Sequence, residues 1–259
     1  MNLNYTDFGS GKPLVLIHAF PLSSSMWRPQ LEAFSPDDFR LLLPDLPGFG
    51  DSPLAPGLNS IERMAEAVGH LLDRLSIPRA IIGGLSLGGY VALSLYRQRP
   101  EKFAALVLCD TTARADTEEK RQARRKLIEK IETSGSGVLV DEMLPAMLSD
   151  AAPEKRPELV ESLRAAIAAA PPAGAINALR AMAERADSTD LLEKVSIPTA
   201  LIFGEEDRIT GLDAARAMKD EIAGAELFRI SGAGHLSNLE QPQRFNRALT
   251  EFCSAVTVR

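Results

Sequence analysis

The segment Gly83-Gly84-Leu85-Ser86-Leu87-Gly88-Gly89 constrains the fold of this 259-residue chain more than any other. It follows the apolar run Ala80-Ile81-Ile82 and leads into the helical stretch Leu87–Arg97. Glycines two residues either side of a serine are what a sharp strand-to-helix turn needs. Without Cβ atoms at Gly84 and Gly88, strand and helix can approach closely, and the turn holds the serine hydroxyl above the strand end. A glycine-rich connection with an incidental serine is the plainer alternative. A phosphate-cradling loop is disfavoured, because the run lacks the spacing and the lysine of a P-loop and does not match G-x-G-x-x-G.

The same alternation of short apolar runs and longer amphipathic ones continues along the chain. Leu14–Ile17 is wholly apolar, and Arg40–Leu43 has similar character before Pro44. Ala104–Leu108, Thr199–Phe203 and Glu226–Ile230 read as further strands. Between them, Ser24–Phe34, Ile61–Leu75, Asp213–Ile222 and Gln241–Phe252 carry apolar residues at helical spacing, with Ser60 placed to cap the second. Strands alternating with helices predict an α/β fold with a mostly parallel sheet and helices on both faces. From Thr112 to Leu192 no strand is evident, only helical stretches broken by Gly135, Gly137, Pro153, Pro157, Pro171 and Pro172. A structureless connection of that length would be unusual, so the interval reads as an inserted cap of three or four helices. The expected division is a core of residues 1–111 and 193–259 with a cap of 112–192.

Composition narrows the functional classes. A formal charge of −6, with 35 acidic and 29 basic residues, gives no basic face for nucleic acid. No apolar run approaches a membrane span, and the first residues lack a basic and then apolar leader, so the chain reads as cytoplasmic. Cys109 and Cys253 each lie in an apolar run and are expected to be buried free thiols.

A nucleophilic serine needs a base, and the chain has three histidines. His70 falls inside a helix and His18 directly after the first apolar strand. His235, in Gly232-Ala233-Gly234-His235, lies between the last strand and the last helix, which brings it toward the same sheet edge as Ser86. A carboxylate must then orient the imidazole. Asp207, in Gly204-Glu205-Glu206-Asp207, follows a strand at its carboxyl end, where sites of such sheets gather. Glu205, Glu206 and, one strand away, Asp110 remain competitors. No histidine or carboxylate spacing suggests a metal, and no cofactor is expected.

On these motifs, together with Leu16-Ile17-His18-Ala19-Phe20-Pro21 and Asp45-Leu46-Pro47-Gly48-Phe49-Gly50-Asp51-Ser52, the chain resembles the α/β-hydrolase superfamily. It looks close to the esterase, enol-lactonase and C–C hydrolase branches, and the order Ser86, Asp207, His235 agrees with that family. The resemblance implies an oxyanion hole formed by the backbone N–H groups of Leu87 and Phe20. Ala19 departs from the pattern, since glycine is usual there. The resemblance also gives His18 a loop-supporting role, not that of base.

The expected activity is hydrolysis of a small ester or lactone through an acyl-enzyme. Alternatives are an enol-lactonase acting on a small dicarboxylate of the 3-oxoadipate type, a C–C bond hydrolase, and a cofactor-free perhydrolase. A non-enzymatic ligand receptor on the same fold is a further one. Dehalogenases and epoxide hydrolases are disfavoured, because those similar folds place Asp where this chain has Ser86. In the cap, Met143, Leu144, Met147 and Leu148 are candidates for an apolar acyl site or for plain packing. Arg114, Arg121, Arg124 and Arg125 are set among Glu118, Glu119, Glu129 and Glu132, which favours a solvated charged helix over a carboxylate site. Asp45 and its loop are expected to be structural. The partner is a small molecule; a homodimer is left open.

Overall fold

The computed structural model describes residues 2–54 and 60–258. In chain order the core begins with β1 (Tyr5–Phe8), β2 (Lys12–Ile17), a 3-10 turn at Ser24–Trp27, α1 (Arg28–Leu31) and β3 (Phe39–Pro44). It continues with α2 (Ile61–Arg74), β4 (Ala80–Leu85), α3 (Leu87–Gln98) and β5 (Phe103–Cys109). An insertion follows, comprising α4 (Glu118–Ser134), α5 (Val138–Met147), α6 (Ala152–Lys155), α7 (Pro157–Ala168), α8 (Pro172–Glu184) and α9 (Thr189–Leu192). The chain then returns through β6 (Thr199–Gly204), α10 (Gly211–Glu221), β7 (Glu226–Ile230), α11 (Ser237–Glu240) and α12 (Pro242–Ala255).

The seven strands form one sheet in the order β1-β3-β2-β4-β5-β6-β7. All neighbours run parallel except β1, which pairs antiparallel with β3. Successive strand residues point to opposite faces, and every residue of β4, β5 and β6 is buried, so helices cover both faces of the sheet. The parallel order reverses between β2 and β4, since β3 returns to one side of β2 and β4 to the other. Such a switch point leaves a crevice at the carboxyl ends of the two strands. The loop after β2 and the turn after β4 both open there.

Each core strand expected from the sequence is present, extended by up to three residues. β1 was not foreseen; it is a four-residue edge strand, too short for alternation to register. The interval after β5 holds six helices instead of three or four. The additional ones, α6 and α9, are single turns of four residues, too short to reveal a helical period. Ser60 caps α2 by accepting from the Arg63 N–H at 3.3 Å. Cys109 and Cys253 are both buried and unpaired.

The insertion is closed at its neck. The Ser188 N–H donates to the Ala113 carbonyl at 2.8 Å, and the Ala115 N–H donates to Asp187 Oδ2 at 2.8 Å. Arg185, buried, donates to the Arg114 carbonyl and pairs with Asp116 at 2.7 Å, while its guanidinium lies 4.1 Å from the centre of the Tyr90 ring. A second close contact joins insertion to core: a Cβ on Gly174 of α8 would meet the Gly48 carbonyl oxygen at 2.0 Å.

Candidate active site

Ser86 stands between β4 and α3 with φ of +54°, a left-handed conformation unusual for a residue with a side chain. The turn is possible only because its neighbours are bare. A Cβ on Gly84 would come within 2.3 Å of the Gly88 carbonyl carbon, and one on Gly88 within 2.1 Å of the Ile17 carbonyl oxygen. The Ser86 N–H donates to the Cys109 carbonyl at 2.9 Å, and the Thr111 hydroxyl donates to the Ser86 carbonyl at 2.8 Å. The backbone is thus pinned on both sides. The side chain is half-buried, and among the described residues its hydroxyl makes no hydrogen bond. Strain of this kind, on the order of 1–3 kcal/mol, persists where the surroundings over-determine it.

Asp207 and His235 meet at the carboxyl end of the sheet, with Nδ1 of His235 3.0 Å from Oδ2 of Asp207. Both side chains are buried. A carboxylate only accepts, so Nδ1 carries a proton in this pair, which in the neutral ring leaves the lone pair on Nε2. Asp207 also accepts from the Ile209 N–H at 2.8 Å, the Thr210 N–H at 3.2 Å and the Thr210 hydroxyl. Burial alone would raise its pKa. The attraction and hydrogen bond of His235, with the Thr210 and Ile209 bonds, outweigh that and hold it below the usual carboxylate range. The competitors separate by placement: Glu205 and Glu206 are exposed. Asp110 is buried and accepts from the Gly204 N–H at 2.8 Å and from the Ser237 hydroxyl at 2.5 Å. Burial first, and then the Asp207 charge, push the Asp110 pKa well above its ordinary value.

Phe20 follows β2 across the crevice from Leu87, the first residue of α3. Among the described residues no acceptor in the chain engages the N–H of either. The β2 loop is braced by His18, whose Nε2 accepts the Leu46 N–H at 2.9 Å and whose Nδ1 faces the Ala19 carbonyl at 3.0 Å. Complete burial lowers the His18 pKa to about 4, so the ring stays neutral near pH 7. Asp45 has a structural role. It accepts from the Asn4 side chain and from the Ser24 and Asp51 N–H groups, which together outweigh its burial and lower its pKa. His70 is exposed on α2.

The insertion residues divide similarly. Arg124 pairs with Asp116 and Arg125 with Glu118, so these cations are neutralised within their own region. Leu144, Met147 and Leu148 are buried in the continuous core. A cleft of about 350 Å³ lies between the loops after β2 and β3 and helix α7, walled by Pro21, Leu22, Met26, Phe49, Leu159 and Leu163. Its whole lining consists of apolar side chains, three serines and Gly50, with no charged group.

Sequence reasoning missed the residues that tie this site to the insertion. Arg208, next to Asp207, donates to the Pro145 and Leu148 carbonyls at 2.6 and 2.9 Å. Glu240, five residues after His235, accepts from Ser149 of the insertion and from Gly234. No spacing rule marks either residue, because their partners in the insertion lie tens of residues away in sequence.

An elbow serine at the switch point of a mostly parallel sheet, with a buried Asp–His pair two loops away, is the arrangement of the alpha/beta hydrolase fold. The chain belongs to that family, whose model matches residues 12–242. It is 31% identical over 249 residues to 3-oxoadipate enol-lactonase 2 of Acinetobacter baylyi, covering 95% of this chain and 91% of the relative. It is also 31% identical to a pimeloyl-[acyl-carrier protein] methyl ester esterase of Chromobacterium violaceum, covering 97% and 98% of the two chains. Among solved structures, a thermophilic esterase from Thermogutta terrifontis superposes with a TM-score of 0.95 at 39% identity, covering 99% of this chain and 94% of that one. The protein is a hydrolase of this family.

Proposed function

We propose that the protein is a serine hydrolase that cleaves a small carboxylic ester or lactone through an acyl-enzyme. In this reading Nε2 of His235 removes the Ser86 proton as Oγ attacks the substrate carbonyl. The N–H groups of Leu87 and Phe20 hold the oxyanion, a donor of this kind being worth about 3 kcal/mol. His235 then passes its proton to the leaving alkoxide. Water, deprotonated by the same imidazole, attacks the acyl-enzyme to release the acid and restore Ser86. Asp207 keeps the imidazole in the tautomer with Nε2 free and offsets its charge when protonated. Residues 112–192 act as a cap over a core of residues 1–111 and 193–259.

The observation that carries this reading is the strained Ser86 turn at a sheet end that also bears a buried Asp207–His235 hydrogen bond of 3.0 Å. Among the described residues the Ser86 hydroxyl has no hydrogen-bond partner, which agrees with catalytic hydrogen bonds that tighten only in the substrate complex. The uncharged cleft that opens at Pro21, the residue after Phe20, suits an apolar group of the ester, although neither Ser86 nor His235 lines it. The enol-lactonase relatives supply the second reading, a lactone ring opened by the same steps.

Intact mass after exposure to a fluorophosphonate tests the assignment. A single adduct on the native protein, absent from Ser86→Ala and formed far more slowly on His235→Ala, is the expected result. Undiminished turnover of p-nitrophenyl esters by a folded Ser86→Ala protein would overturn it.

A further inference from the structure

The loop bearing His235 rests on the insertion as much as on the sheet. Gly234 and Leu236, the two neighbours of His235, are both fastened outward. The Leu236 N–H donates directly to the Met147 carbonyl at 3.1 Å, at the end of α5. The Gly234 N–H donates to Glu240 Oε1 at 2.7 Å, and the same carboxylate reaches the insertion. Its Oε2 accepts from the Ser149 N–H at 3.0 Å and the Ser149 hydroxyl at 2.7 Å. The Glu240 main chain is held as well, its carbonyl accepting from Arg156 at 2.6 Å. The surfaces are in backbone contact: a Cβ on Gly234 would lie 2.6 Å from the Leu148 carbonyl carbon.

Glu240 is only 3% exposed, and among the described residues no basic side chain pairs with its carboxylate. Burying a carboxylate without a cation is costly, and an apolar residue would fill the space more cheaply. What the carboxylate supplies is reach and acceptors on two sides at once. We infer that Glu240 is a positioning residue that clamps the His235 loop to the Ser149 turn of the insertion, so that the insertion holds the imidazole in line with Ser86. The inference rests on the reading of His235 as the base. Glu240 touches no reacting atom; it acts through the loop it fixes.

Reach makes the clamp testable. Glu240→Gln keeps the length and one acceptor, and its amide can donate to the Ser149 hydroxyl, so the bridge survives in part. Glu240→Asp keeps the charge but is one methylene too short. Glu240→Ala leaves the Gly234 and Ser149 N–H groups without an acceptor. For p-nitrophenyl acetate, kcat is expected to fall about 10- to 100-fold in Asp and Ala while KM changes little, with Gln recovering most of the loss. Ser149→Ala, which perturbs the fold least, should lose a few-fold and add nothing to Glu240→Ala. Amide hydrogen exchange should rise together in residues 145–150 and 232–241 of the Ala variant. The exchange arm stands even if Ser86 proves unreactive, so failure of the hydrolase reading and failure of the clamp are distinguishable. Native-like exchange in both segments, or Asp and Ala variants matching the native kcat, would overturn the clamp.

Discussion

Asp207 and His235 are separated by 28 positions in sequence and joined by one hydrogen bond, and that bond decides which imidazole nitrogen is free. In Asp207→Asn the carboxamide can turn its NH₂ toward the ring, which then protonates at Nε2 and loses its role toward Ser86. The loss in kcat is expected to be on the order of 10³- to 10⁴-fold with a nearly unchanged KM, as measured with a neutral ester. Fluorophosphonate labelling should slow in parallel. At this scale the serine and histidine of the candidate site stand out in the sequence, because one lies in a steric motif and the other is the histidine best placed to reach it. The candidate acid stood out only as one of four. Burial separates Asp207 from Glu205 and Glu206, and a hydrogen bond separates it from Asp110. Burial and pairing are properties of the folded chain. Glu240 left no mark at all, since nothing at position 240 announces a partner at Ser149.

The elements follow their sequence where a period has room to repeat. The 14-residue α2, with its Ser60 cap, was readable almost to the residue. The four-residue elements β1, α6 and α9 were not, for they hold barely one helical turn or two strand alternations. Helix α3 approaches β2 closely at Gly88, where a methyl group would be 2.1 Å from a backbone oxygen. Neither backbone can yield without moving the turn at Ser86. Gly88→Ala is therefore expected to cost about 2 kcal/mol or more in urea denaturation, and to depress activity beyond the loss of folded protein. An alanine variant of native stability would mean that the two elements can slide apart.

At the scale of the whole molecule, His18 links stability to pH. Its folded pKa is about 4, whereas a free histidine protonates near 6.5. Between those values the unfolded chain binds the additional proton, so stability falls as pH is lowered through this window and levels off below it. The loss amounts to about 3 kcal/mol. Asp207, whose carboxyl is held low by His235, adds its own loss only as pH falls further. Denaturation at neutral and mildly acid pH should give a steeper decline for the native protein than for His18→Gln, and equal slopes would contradict the assignment. The stitched neck of the insertion acts at the same scale. With Ala113 fastened to Ser188, and Ala115 to Asp187, the two ends of the excursion are joined whatever its length. Doubling such a loop costs only about 0.6 kcal/mol in closure entropy. A chain built this way can therefore lengthen or trim its insertion and still close its sheet, provided the Met147–Ser149 turn that braces the His235 loop is kept.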